Sequence, residues 1–174
     1  MSDGKATDER LSELFREHAE FVWRVVRRLG VPDADAEDVT QEVFLVVAKR
    51  LDAYEERGTF RAWLVAIARQ IAQHAQRARF RHERKAQSMP PREAAIDPHR
   101  ALEHSQAIAF MNAFLAELDA DQALVFYLAE VEGMSAPEIA ASMQANLNTV
   151  YGRLRLARKR FEARVQRRLL AERL

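Results

Sequence analysis

The densest chemistry in this sequence falls at residues 149–168, which hold eight basic residues against one acidic. Within that block Val150, Leu154, Ala157 and Phe161 lie four, three and four residues apart, so on a helix they share one face. Tyr151, Gly152, Arg155 and Lys159 then occupy the opposite face, with Arg153 and Arg158 at its flanks. A guanidinium there can bond O6 and N7 of guanine in the major groove of duplex DNA, while basic neighbours bind phosphates. Gly152 permits close backbone approach but reads no base itself. A second basic block, residues 69–85, carries six basic residues against one acidic and follows an aromatic start, Phe60 and Trp63. Stacking faces beside guanidinium groups suit single-stranded nucleic acid. Trp63, at helical spacing between Phe60 and Ile67, reads as core, which leaves the loop Tyr54 to Thr59 as the base contact. For each block the plain alternative is a solvated basic helix face.

Other chemistries lack their residues. The 174-residue sequence has no Cys, which excludes disulfides, thiolate metal sites and cysteine nucleophiles. Its five histidines, at 18, 74, 82, 99 and 104, show no ligand spacing with carboxylates, so no metal or cofactor is expected. There is no Walker A loop, GxGxxG or nucleophile elbow, and an enzyme or a small-molecule substrate has no support. The formal net charge of +1 conceals two basic blocks in an otherwise acidic chain: residues 1–60 carry nine basic against fourteen acidic residues, and 86–148 two against nine. Of the 27 basic residues 23 are Arg, the fork that binds phosphate bidentately. No apolar run approaches the roughly 20 residues that span a bilayer, and Met1 to Lys5 is followed by Asp and Glu. Neither export signal nor membrane anchor is expected, and the location is predicted to be cytoplasmic.

The elements that must position these faces are helices. With 48% hydrophobic and 30% charged residues, 8% aromatic, 5 Gly and 5 Pro, an all-α fold is expected. From Asp8, Leu11, Leu14, Phe15, Val22, Val25, Val26 and Leu29 form one amphipathic helix, ended by Gly30 and Pro32. A second runs from about Ala34 to Leu51, acidic in its first turns, with Val39, Val43, Val46 and Val47 inward. Thr59 caps a third, with the stripe Phe60, Trp63, Leu64, Ile67, Ile71 and Ala75; beyond it come Arg77, Arg79, Arg81 and Arg84. Residues 86–97, with Met89-Pro90-Pro91-Arg92, have no period and read as a linker. Asp97-Pro98 opens a helix through Leu102, Ile108, Met111, Leu115 and Leu118; Asp119 with Gln122 opens another, ending at Gly133. Ser135-Ala136-Pro137-Glu138 is a capping box for a short helix to about Met143. A turn, Gln144 to Leu147, leads to the basic helix, from about Asn148 to Leu170. Short helix, tight turn and basic helix make the layout of a helix-turn-helix, with Val150, Leu154, Ala157 and Phe161 expected against Ile139, Ala140 and Met143.

Three stretches resemble the bacterial sigma-70 family, group four, the extracytoplasmic-function (ECF) sigma factors. Asp35-Ala36-Glu37-Asp38-Val39-Thr40-Gln41-Glu42-Val43-Phe44 is similar to the family's region 2.2, and Gly58 to Arg69 to its regions 2.3 and 2.4. Met134 to Ala140, Asn148 to Leu154 and Ala157 to Phe161 resemble region 4.2. The resemblance implies two small helical domains, region 2 (8–85, a three-to-four-helix bundle) and region 4 (100–170), joined by a flexible linker (86–99). It implies a subunit that joins core RNA polymerase, directs it to promoters and helps to melt them, catalysing nothing itself. Asp38, Gln41, Glu42, Lys49 and Arg50 would dock on the β′ coiled coil. Tyr54, Gly58, Thr59, Arg61, Arg69, Gln70, Gln73 and Arg77 would take the melted non-template strand of the minus-ten element. Thr149, Tyr151, Gly152, Arg153, Arg155, Arg158 and Lys159 would read the minus-thirty-five element as duplex, while the other face of that domain meets the β flap. An anti-sigma factor is an expected partner.

Several positions depart from the family's habit. Gln144 and Asn146 stand where Gly and Pro are usual in the turn, Asn148 where Gly is common, Gly152 where Ser is, and Gln70 where Asn is. A positive φ at Gln144 would be strained. Two other readings compete: a sigma-like mimic that sequesters an anti-sigma factor, which need not keep basic faces, and a stand-alone helix-turn-helix regulator, which leaves the acidic and aromatic helices unexplained.

Overall fold

A computed structural model describes residues 3–54, 58–83 and 102–171, with the side chains of 9–54, 58–77 and 106–171. These residues form seven α-helices and no strand: α1 Asp3–Arg28, α2 Asp33–Arg50, α3 Phe60–Glu83, α4 Leu102–Ala116, α5 Ala120–Glu130, α6 Ala136–Met143 and α7 Leu147–Ala171. The expected all-α fold is borne out. The linker, the Asp97-Pro98 start, Glu55 to Arg57 and the side chains of Arg79, Arg81, His82, Arg84, His99 and His104 lie outside what is described. By compactness the chain divides into Met1–Ala86 with Pro137–Ala145, and Gln87–Ala136 with Asn146–Leu174.

In the first unit α1, α2 and α3 pack pairwise into a bundle. Val22, Val25 and Val26 of α1, Val43 and Val47 of α2, and Leu64, Val65 and Ala68 of α3 are almost wholly buried. Helix α1 begins five residues before the expected Asp8. It stops because Gly30 takes φ +87°, which lets the Gly30 N–H donate to the Arg27 carbonyl (3.0 Å) and the Val31 N–H to the Val26 carbonyl (3.3 Å). That pair of bonds is a Schellman motif, and glycine is the residue that enters the left-handed region without steric cost. The Gln76 amide of α3 donates to the Leu29 carbonyl at 2.6 Å, tying α3 to the end of α1. Helix α2 begins at Asp33 and ends at Arg50, followed by a 3-10 turn at Leu51–Ala53. Thr59 caps α3 as expected, its hydroxyl accepting from the Ala62 N–H at 3.3 Å.

In the second unit α7 packs along α5. Phe161 lies within 5.1 Å of Phe114, 5.4 Å of Phe126 and 6.0 Å of Phe110, so α4 and α5 supply the aromatic seat for α7. The Asp119 carboxylate caps α5, accepting from the Gln122 N–H at 2.8 Å. Gly133 (φ +67°) follows α5 and permits the Met134 N–H to reach the Leu128 carbonyl at 2.9 Å. Helix α6, which from Pro137 on divides with the first unit, buries Ile139, Ala140, Ser142 and Met143.

Candidate nucleic-acid interface

The apolar face of α7 is where its spacing predicts: Val150, Leu154 and Ala157 are buried and Phe161 half-buried. Their burial turns Thr149, Tyr151, Gly152, Arg155 and Lys159 to solvent; Tyr151 is 52% exposed. The flanking arginines differ. Arg153 pairs with Asp121 and Arg158 with Glu130, each at 2.7 Å, so both are held by α5. Arg160 donates to the Gln122 side chain at 3.2 Å, and Arg164 pairs with Glu117. Much of the positive charge of α7 therefore fastens the helix to its own domain.

The turn before α7 is one residue tighter than expected. Gln144 has φ +51°; its N–H donates to the Ala141 carbonyl (3.3 Å) and the Ala145 N–H to the Ala140 carbonyl (3.0 Å). This is again a Schellman motif, here on a residue with a Cβ, at a strain of about 1 kcal/mol or more. Asn146 then caps α7: its side-chain oxygen accepts from the Asn148 N–H at 2.8 Å, so α7 starts at Leu147 rather than Asn148.

At the start of α3 three rings meet. The Tyr54 ring lies 4.7 Å from Trp63 and 5.5 Å from Phe60, and Phe60 lies 5.5 Å from Trp63. His18 of α1 reaches Phe60 at 5.2 Å. The Tyr54 hydroxyl donates to the Gly58 carbonyl at 3.1 Å, bridging the two described ends of the loop. Trp63 is half-buried in this corner, neither pure core nor free surface. Burial pushes the His18 pKa below its ordinary value; Glu17 opposes this and Arg61 adds to it. Further along α3, Arg69, Gln70, Gln73 and Arg77 fall on one face, all exposed except the half-buried Arg69. Arg61 is not brought to them: its guanidinium stands 4.1 Å over the Phe21 ring, against α1.

Helix α2 exposes Asp38, Gln41, Glu42 and Lys49 on one face, with exposed Arg50 turned to its side. Leu45 sits at the centre of that face, 62% exposed, and the sequence reading missed it. The only available signal was its distance of seven residues from Asp38. Beside it α1 and α2 leave an apolar groove of about 490 Å³ lined by Leu11, Phe15, Gln41, Phe44, Leu45 and Ala48, among others. Among the described residues no cluster of His and carboxylates could hold a metal, and no helix is long and apolar enough to cross a membrane.

Two family descriptions match these parts of the chain: Sigma-70 region 2 over residues 14–82 and Sigma-70, region 4 over residues 111–161. The ECF RNA polymerase sigma factor SigL of Mycobacterium tuberculosis is 32% identical over 148 residues, which cover 83% of this chain and 82% of SigL. The chain belongs to the ECF sigma-factor family. The ECF RNA polymerase sigma factor SigE of Mycolicibacterium smegmatis is 34% identical over 152 residues, 84% of this chain but only 58% of SigE. In fold, this sigma factor is similar to RpoE of Bartonella quintana in its co-crystal structure with the anti-sigma factor NepR, with TM-score 0.73, 21% identity, and 91% and 98% of the two chains covered. The region 2 match takes in the α2 face and the aromatic corner; the region 4 match takes in α5, α6 and the exposed face of α7.

Proposed function

We propose that this ECF sigma factor binds core RNA polymerase in the cytoplasm and directs it to specific promoters, reading an upstream element as duplex and a downstream element as melted strand. It catalyses nothing itself; the polymerase carries the chemistry. The observation that carries this reading is that one chain matching both sigma regions keeps two distinct nucleic-acid faces open to solvent.

Each face suits its ligand. On α7, Thr149, Tyr151, Gly152, Arg155 and Lys159 enter the major groove of the minus-thirty-five element, where a straight helix fits and Arg155 meets guanine acceptors. Arg153 and Arg158, tied to α5, set the angle of the helix and approach phosphates only at its edges. In region 2 the corner of Tyr54, Gly58, Thr59 and Trp63 offers flat rings to an unstacked base of the minus-ten non-template strand, and Arg69, Gln70, Gln73 and Arg77 line its path. Arg61 supports that corner from behind through Phe21. On α2, Asp38, Gln41, Glu42, Lys49 and Arg50 dock on the polymerase β′ coiled coil, with Leu45 as the apolar centre of a polar contact; region 4 meets the β flap. The domains are 8–85 and 100–170, with 86–99 as linker, and an anti-sigma factor is the expected inhibitor.

The test is run-off transcription with purified core polymerase, with and without the protein, on genomic fragments that include its own upstream region. Discrete start sites that depend on the protein are expected. Binding to duplex fragments without core polymerase, and no new start sites with it, would overturn the reading.

A further inference from the structure

At the start of the exposed face of α7 stands a polar residue to which no role has yet been given. Asn148 precedes Gly152 by four residues, Arg155 by seven and Lys159 by eleven, so the four share one stripe, and all are exposed. Asn146 is the cap of the helix, its side-chain oxygen accepting from the Asn148 N–H, so the Asn148 side chain is not the one that caps it. No described residue hydrogen-bonds its carboxamide. One turn on, Gly152 is the second unusual choice. It has no positive φ, lies inside a helix, and a Cβ added there meets nothing within 4 Å. An interior helical glycine is destabilising relative to alanine, and the protein's own packing gives no reason for it. The reason must lie in something that approaches this face from outside.

We propose that Asn148 is a base-reading residue specific for adenine in the upstream promoter element, and that Gly152 keeps clear the space in which that base edge is met. The inference rests on the reading of α7 as the duplex reader. A carboxamide carries a donor and an acceptor side by side; adenine alone presents a matching acceptor and donor, N7 and the N6 amino group, in the major groove. The Asn148 amide donates to N7 while its oxygen accepts from N6. Being neutral, Asn148 adds little to phosphate attraction, so its contribution appears as sequence preference rather than as general affinity. Arg155, seven residues on, reads a neighbouring guanine on the same stripe.

The test is protein-dependent initiation by core polymerase from a promoter library randomised through the upstream element, with wild-type, Asn148→Ala and Gly152→Ala chains. The wild type should select adenine at one position by about tenfold or more. Asn148→Ala should erase that preference and leave the start site and the other selected positions in place. Gly152→Ala should weaken the same preference while the thermal midpoint holds or rises, since alanine favours the helix. Retained adenine selection by Asn148→Ala, or an even loss at all positions, would overturn the proposal. Unchanged selection by Gly152→Ala would overturn the part given to Gly152. No initiation by the wild type would remove the sigma-factor reading itself, an outcome distinct from a wild type that initiates without selecting adenine.

Discussion

Around Tyr54 and Trp63 the protein offers flat rings held by one another; along α7 it offers polar side chains on a single straight rod. The corner depends on α1 as well as on the start of α3: Phe60 touches His18, and the Arg61 beside it lies over Phe21. The α7 face depends on tertiary structure only for its angle, through Arg153 and Arg158 and the buried Val150, Leu154 and Ala157. An unstacked base needs a cavity with stacking walls, which only several segments together can build, whereas an intact duplex needs a rod of the right width, which one helix supplies. The two faces should therefore fail differently.

The largest effect is expected at Trp63. Trp63→Ala removes a half-buried wall of the corner, at about 2–3 kcal/mol of stability, below the ~3–5 kcal/mol of a fully buried aromatic, together with the stacking proposed for a base. Urea unfolding should show the loss, and strand opening at the start site should fall while upstream duplex protection survives. Arg155→Ala is expected to weaken promoter-specific binding by ~1–3 kcal/mol without touching stability, as read by titrating holoenzyme against cognate and scrambled upstream elements. Its contrast is Arg158→Ala, which breaks a surface pair with Glu130 and should cost under about 1 kcal/mol in either measurement.

Gln144→Gly acts in the other direction. It relieves the positive φ of the turn and should raise stability by about 1 kcal/mol, seen as a shift in the urea midpoint, with promoter selection unchanged. The smallest effect is a pH dependence confined to the aromatic corner. His18 has its pKa lowered mainly by burial, so below its ordinary value near 6.5 the unfolded chain binds the proton more readily than the folded one. Stability should thus be fully present above that pH and decline as pH falls through it. His18→Gln should flatten the decline in urea midpoints measured between pH 7.5 and 5.5.

The same contrast explains what the sequence could reveal. Features that depend on one helix were legible: the α7 stripe, the Thr59 and Asp119 caps, and the termination of α1 at Gly30. Features that depend on what lies across a helix were not. That Arg153 and Arg158 are tied to α5 needed Asp121 and Glu130 to be placed opposite, and that Phe161 seats among Phe110, Phe114 and Phe126 needed α4 to be placed beside α7. Leu45 stands outside the inward stripe Val39, Val43, Val46 and Val47, but a leucine off the stripe does not by itself mark a contact surface, and it took its 62% exposure at the centre of the charged face to do so. The turn at Gln144 was legible too, strain included; only its length was not, because α7 starts at Leu147 rather than Asn148. The bonds of the turn are those of a glycine-ended helix, but the residue that takes the left-handed conformation is one that rarely does. Trp63, which its spacing reads as core, is only half-buried, because its neighbours in the corner are the rings of Tyr54 and Phe60.

The most direct measurement is a combined footprint of the holoenzyme on one cognate promoter, with DNase protection for the duplex and permanganate for unpaired thymines. The account predicts upstream protection and downstream thymine reactivity in the same complex, both requiring polymerase and protein together, with Trp63→Ala removing the reactivity and Arg155→Ala the protection. Upstream protection by the protein alone with no thymine reactivity when polymerase is added, or both signals lost equally in each variant, would contradict it.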